Sequence, residues 1–272
     1  MGPAILVICS QNSMPSPLRV AQRGTHKTRT FYDGYWPENV PDYERTREHV
    51  FALLPDAPIA RALDAGAGTG VCSLALSERA GAVVGVDISG GSLHVAQGLA
   101  RELQHGNATF SQGDLQSLPF GDRAFDLVYS WGVVDHTVDP LRTMRELTRV
   151  LRPGGHLIVA VYLKTWLTPL HELSRYICLY TPFFPRRLFI HGIGAFVRFL
   201  EQRRDMINVR DDNINVEAQA EDWFFAPVKH FFSIEEMRKI YTDLGLSFEV
   251  LVERTGRFKS SSDFIVRGQK QA

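Results

Sequence analysis

Cysteine is scarce, with three in 272 residues, at Cys9, Cys72 and Cys178. The number is odd and no metal-ligand spacing links them, so neither a disulfide framework nor a metal site is expected, and a reducing, cytoplasmic location fits. Net charge is also missing. Thirty basic residues against thirty acidic ones give a formal net charge of +0, which leaves no whole-chain electrostatic footprint for a nucleic acid. No uninterrupted apolar run reaches the ~20 residues needed to cross a bilayer. The best stretch is broken by Pro182, Pro185 and the Arg186-Arg187 pair. Ala4 to Cys9 is apolar but too short for a signal h-region, and no basic residue precedes it. Residues 1–30 are expected as a disordered tail with solvated basic residues, Met14 being an alternative natural start.

What is present begins with Leu63-Asp64-Ala65-Gly66-Ala67-Gly68-Thr69-Gly70. An aspartate ends an apolar strand, three glycines follow at alternate positions, and an apolar helix runs from about Val71 to Ala80. Gly66 and Gly68 carry no Cβ, so the backbone can turn sharply and approach a ligand. The helix N-terminus that follows is expected to turn its free N–H groups toward that ligand. The dinucleotide fingerprint G-x-G-x-x-G would need a glycine where Val71 stands. Ala82 to Asp87 is a second buried strand ending in a carboxylate, placed to accept hydrogen bonds from ribose hydroxyls. Gly113-Asp114 follows a third strand. Phe125 to Ser130 is a fourth, leading into Trp131.

Asp64 to Gly70, Asp87-Ile88-Ser89, Gly113-Asp114-Leu115, Phe125 to Ser130 and Leu151 to Leu157 (Leu-Arg-Pro-Gly-Gly-His-Leu) resemble, in order and spacing, the motifs of class I S-adenosylmethionine-dependent methyltransferases, the type 11 group in particular. The resemblance covers roughly residues 44–165. It implies a Rossmann-like α/β fold: a seven-stranded, mostly parallel sheet with helices on both faces, its last strand antiparallel. It also implies S-adenosyl-L-methionine as cofactor. Asp87 would hold the ribose, Asp114 the adenine amine, and Asp64, Ala65, Gly66, Gly68 and Gly70 the methionyl part, with Ile88 and Leu115 as further cofactor contacts. Ser130 and Trp131 are carried over as cofactor neighbours by analogy. Three carboxylates at neighbouring strand ends favour a sulfonium cation and repel a pyrophosphate.

The domain plan is a tail over 1–30, an N-terminal cap helix and cofactor-binding core over 31–163, a helical insertion over 164–228, and the rest of the core over 229–272. Phe31 to Pro37 is dense in aromatics, and Tyr32 and Tyr35 are candidate contacts closing over the cofactor. A helix from about Tyr43 to Leu54 should lie over the crevice. The insertion, before the last two strands, is read as a lid that sets acceptor specificity. Two other readings stay open for it: plain helical packing, and a basic amphipathic surface touching anionic membrane. Ser233 with Glu236 forms a capping box that opens the next helix.

Methyl transfer to a hydroxyl or a carbon acid needs a proton acceptor. His136 is one candidate, with Asp135 or Asp139 as orienter, and His230 is the other. Methyltransferases that modify nucleobase amines carry an Asn/Asp-Pro-Pro-aromatic run where this chain has Ser130-Trp131-Gly132-Val133. The expected acceptor is therefore a small, apolar molecule methylated at oxygen or carbon, with no nucleic-acid partner. Two alternatives stand beside this: a non-catalytic protein that kept the cofactor fold, and a nicotinamide-dependent oxidoreductase. Neither the acceptor nor the oligomeric state is written in the sequence.

Overall fold

The computed structural model describes residues 17–35, 40–181, 185–201, 216–254 and 263–271. Met14, the Ala4 to Cys9 run, Trp36-Pro37, the charged stretch from Arg203 to Asp212 and the turn between the last two strands lie outside them.

Seven strands form one sheet: β1 (Ile59–Ala65), β2 (Ala80–Asp87), β3 (Ala108–Gln112), β4 (Phe125–Trp131), β5 (Leu151–Tyr162), β6 (Glu249–Arg254) and β7 (Asp263–Gln269). Their spatial order is β3-β2-β1-β4-β5-β7-β6. All neighbours are parallel except β7, which runs antiparallel to both β5 and β6. The chain works outward from β1 to β3 and then returns to β4 on the other side of β1. At that reversal the connections leave to opposite faces and open a crevice beyond the carboxyl ends of β1 and β4.

The apolar side chains of the inner strands explain why this sheet is buried on both faces. Leu63 and Ala65 of β1 point to one face, with Val128 and Leu157, and meet Met144, Leu147, Met237 and Tyr241. Those four belong to α5 (Pro140–Val150) and α9 (Ile234–Asp243). Ala62, Leu127 and Ile158 point the other way, onto Val50, Leu53, Ala75 and Leu76 of α2 (Tyr43–Leu53) and α3 (Val71–Ser77). This is the period-two alternation of strands put to use on two covered faces.

Local chemistry sets the helix ends. Asp42 caps α2 by accepting from Arg45 N at 2.9 Å, and Ser89 caps α4 (Gly90–Glu102) by accepting from Ser92 N at 3.1 Å. The capping box at Ser233 and Glu236 is complete, with bonds of 3.1 and 2.7 Å. The helix over the glycine loop is shorter than expected and ends at Ser77, because β2 starts at Ala80. Pro153-Gly154-Gly155 does make its turn, but inside β5, where pairing with β4 jumps from Leu151 opposite Phe125 to His156 opposite Leu127.

One boundary differs plainly from expectation. Residues 17–30, expected as disordered tail, belong to α1 (Pro17–Tyr35). Thr28 and Tyr32 are buried, and Asp33 accepts from Ser89 Oγ at 2.8 Å, fixing α1 to the start of α4. The basic composition of this stretch hid a helix whose other side has something to pack on. The described part of the insertion is mainly helical: α6 (Thr168–Tyr180), α7 (Arg186–Glu201) and α8 (Val216–Phe225).

Candidate active site

A cleft of about 710 Å³ opens at the carboxyl ends of β1, β2 and β4. Asp64, Gly66, Gly68, Asp87, Asp114 and Trp131 line it, as do Ile88 and Leu115. Eight of the expected cofactor contacts are thus brought together. Three are not on its wall. The Ser130 hydroxyl turns inward and donates to Ala65 O at 2.9 Å, which keeps both residues beneath the surface of the cleft. Gly70 is a packing position, since a Cβ there would come within 2.6 Å of Ala96 Cβ.

The glycine loop works by leaving room. Gly66 N and Ala67 N both donate to Val86 O, at 2.7 and 3.0 Å, and Gly68 N donates to Asp87 Oδ2 at 2.8 Å. These three loop donors are spent inside the protein and are not left for a ligand. Gly66 has φ +93°, and a Cβ on it would sit 2.2 Å from Val133 Cγ2. Both the backbone conformation and the close approach demand glycine.

The three carboxylates differ in setting. Asp64 lies at the start of α3, where its Oδ2 accepts from Ser73 Oγ at 2.6 Å. Burial pushes its carboxyl up to about 7; the Ser73 bond opposes this and the nearby Asp87 charge adds to it. Asp87 is also raised by burial, against the backbone donors of Ser89 and Gly68 that hold its two oxygens. Asp114 accepts from Gln116 N at 2.9 Å. Together they give the cleft an acidic floor, suited to a ligand that carries ammonium and sulfonium charges. Cys72 also lines the cleft, but burial and the Asp64 charge push its thiol up, so it stays protonated.

The facing wall is made by α1 and α2. Thr25, Thr28 and Tyr32 come from α1, and Arg45 and His49 from α2. Among the described residues of the aromatic segment, Tyr32 reaches the cleft, whereas Tyr35 stacks on Phe31 at 5.7 Å. Thr28 Oγ1 is buried without a hydrogen-bond partner. The α1 threonines were missed because their segment read as tail; the start of α2 was expected over the crevice, though without named contacts.

At the inner end of the cleft stands His136, in a short 3-10 turn at Val134–His136. Its Nδ1 lies 2.9 Å from Val228 O, an atom that can only accept, so Nδ1 carries a proton and Nε2 is the nitrogen that gains or loses one. Nε2 lies 3.9 Å from Asp222 Oδ1. Asp222, on α8, was not foreseen. Its Oδ1 accepts from Tyr32 OH at 3.0 Å, and its Oδ2 accepts from Tyr162 OH and Lys229 Nζ, each at 3.0 Å. Burial alone would raise Asp222, but the Lys229 and His136 charges and these bonds together hold it well below the usual carboxylate range. Burial in turn lowers the Lys229 ammonium, and Asp222 opposes that.

Neither Asp135 nor Asp139, the orienters expected for His136, hydrogen-bonds its ring. Asp139 caps α5 through Arg142 N at 2.9 Å. The Asp135 carboxylate is fully buried with no hydrogen-bond partner, and burial raises it against the charges of His136 and Lys229. The backbone carbonyl of Val228 does the orienting instead. His230, the second candidate base, does not line the large cleft. Its Nε2 lies 3.1 Å from Thr137 O, its N–H donates to Asp135 O at 2.8 Å, and its side chain borders a separate 320 Å³ pocket.

Residues 63–159 match the family described as methyltransferase domain. The chain carries a class I S-adenosylmethionine-dependent methyltransferase domain. The Streptomyces halstedii methyltransferase GfsG is 33% identical over 141 residues, covering 49% of this chain and 51% of that protein. The demethylmenaquinone methyltransferase of Clavibacter sepedonicus is 38% identical over 108 residues, covering 39% and 43%. The chain spans about half the length of the curated relatives it matches. Among solved structures, the magnesium protoporphyrin IX methyltransferase ChlM of Synechocystis, with bound S-adenosylhomocysteine, superposes with a TM-score of 0.53. It shares 19% identity over 96% of this chain and 90% of that one. The methyltransferase domain accounts for β1 to β5; the wall built by α1 and α2, and Asp222 on α8, lie outside the matched residues.

Proposed function

We propose that the protein transfers a methyl group from S-adenosylmethionine to oxygen or carbon of a small, apolar acceptor. The observation that carries the donor assignment is the acidic floor of Asp64, Asp87 and Asp114 beneath a glycine loop where a Cβ at Gly66 would collide with Val133. These residues fit the group. Asp87 takes the ribose hydroxyls, Asp114 with Ile88 and Leu115 the adenine side, and Asp64 the methionyl ammonium. The bound cofactor supplies an electrophilic methyl on its sulfonium.

The chain's own contribution is alignment and proton handling. Holding donor and acceptor in line in one cleft turns a bimolecular step into an effectively unimolecular one. His136 accepts the acceptor's proton at Nε2, because Val228 O commits Nδ1 to the protonated side. The imidazolium so formed faces the Asp222 carboxylate, whose own charge Lys229 balances. An apolar acceptor is supported by Val133, Val138 and Trp131 on the wall of the cleft, and by the quinone-type acceptor named for the Clavibacter relative. A compact acceptor is assigned rather than a nucleobase, since Ser130-Trp131-Gly132-Val133 offers no Pro-Pro turn to hold an exocyclic amine.

Calorimetry with S-adenosylmethionine and with its demethylated product tests the donor assignment. Micromolar binding of both is expected. Absence of heat with either ligand, while NADH binds, would replace this reading with the oxidoreductase one.

A further inference from the structure

Among the described residues, large apolar side chains left in water are concentrated around one helix. Val40, Leu103 and Leu141 are exposed singly. The others lie on α6, just before it, and at the start of α7. Leu170, Leu173, Ile177 and Tyr180 follow one another along α6 at spacings of three and four residues, and all are exposed. Trp166, four positions ahead of Leu170, is 80% exposed, and Leu188 on α7 is 73% exposed. A helix with such a stripe ordinarily turns it inward. Here the buried positions of α6 are Thr168, Arg175 and Cys178, and the Arg175 guanidinium donates to Ala226 O. The helix is thus fixed to the protein by its small and polar side, with its apolar side outward.

The rim of this face carries exposed cations: Lys164, paired with Glu236, Arg186, paired with Glu221, and Arg187, with Glu172 as the one acid on α6. Arg187 is exposed beside Leu188. Trp166 and Tyr180, joined by exposed Tyr176, are the amphipathic ring types suited to the boundary between headgroups and acyl chains. An apolar stripe bordered by cations and rings matches an anionic bilayer surface. A second copy of the chain would instead bring like charges together. No helix among the described residues is long and apolar enough to cross a membrane, so such contact is peripheral.

We propose that the outward face of α6, with Trp166 and the first turn of α7, docks on the surface of an anionic lipid bilayer. The proposal does not depend on methyl transfer. It places the 320 Å³ pocket bordered by Lys164, Trp166 and Lys229 at the lipid boundary.

Co-sedimentation of the full chain with phosphatidylcholine vesicles, with and without phosphatidylglycerol, tests it. Pelleting with the phosphatidylglycerol vesicles is expected, together with a blue shift of tryptophan emission that Trp166→Phe removes. Leu170→Glu combined with Leu173→Glu should cut vesicle-bound protein by about tenfold, and Arg187→Glu by a smaller factor. Both variants should keep the wild-type melting temperature, since the substituted side chains are exposed. Absence of pelleting with either vesicle overturns the proposal. So does equal pelleting with both, which removes the role of charge. A wild-type dimer in light scattering that Leu170→Glu/Leu173→Glu converts to monomer, without vesicle binding, overturns it in favour of self-association.

Discussion

The carboxylate of Asp64 and the hydroxyl of Ser73 meet at 2.6 Å beneath the glycine loop, at the start of α3. A buried acid at a helix N-terminus is partly compensated by the helix dipole and by this bond, yet burial still leaves its carboxyl at about 7. The folded protein therefore holds this proton more tightly than the unfolded chain does, where the value is 3.8.

Asp64 accordingly lowers stability as pH rises from the unfolded value through about 7, by on the order of a few kcal/mol in total. Asp64→Asn should raise the melting temperature of the ligand-free protein at pH 8 more than at pH 5. A cationic ligand prefers the ionised form, so affinity for S-adenosylmethionine should rise with pH through about 7. Calorimetry in two buffers of different ionisation heat would register proton release in the wild type. Asp64→Asn should show none.

Asp87→Ala should weaken cofactor binding by about tenfold or more, and it should also cost roughly 1–3 kcal/mol of stability, because Gly68 N and Ser89 N lose their acceptors. Urea denaturation and calorimetry read the two effects separately. Unchanged affinity for S-adenosylmethionine would defeat the ribose assignment.

Gly66→Ala places a Cβ 2.2 Å from Val133 on a backbone at φ +93°. Cofactor affinity should fall, with a stability cost of about 1–3 kcal/mol. Adding Val133→Ala relieves the collision but not the backbone, so a thermal melt should show partial recovery only. Full recovery would show that the dihedral carries no cost.

Asp222→Asn leaves the Lys229 ammonium, whose side chain is wholly buried, without its counter-charge. A loss of about 3–5 kcal/mol is expected in denaturant titration. Lys229→Met added to Asp222→Asn should restore much of that, since burying neither charge is far less costly than burying one. For methyl transfer, the double variant should stay impaired, because His136 still lacks the carboxylate it faces.

The donor half of the site was legible because it rests on contiguous runs. Asp64 to Gly70 and Ala82 to Asp87 each announce a strand, its end and the residue that emerges there, and the sheet order follows from their alternation with helices. What sequence alone could not supply lies between distant segments. Tyr32, Tyr162 and Lys229 are brought to the Asp222 carboxylate of α8 from α1, β5 and the segment after α8, and no spacing rule joins positions 190 residues apart. The Ser130 hydroxyl was illegible for another reason: a motif position gives the strand end but not which way a side chain turns. The basic run before Thr30 looked solvated because charge is visible in a sequence, whereas the buried Thr28 and Tyr32 on the other side of that helix are visible only once α4 is in place.

The two walls of the cleft have separate addresses in the chain. The acidic floor is encoded between Asp64 and Asp114, whereas the facing wall comes from α1 and α2, upstream of it. A gene could therefore exchange the stretch that encodes α1 and α2, or the helices between β5 and α9, and alter the wall that faces the donor while the acidic floor passes unchanged. Chimeras joined just before Ile59 would be the natural units for redesigning selectivity.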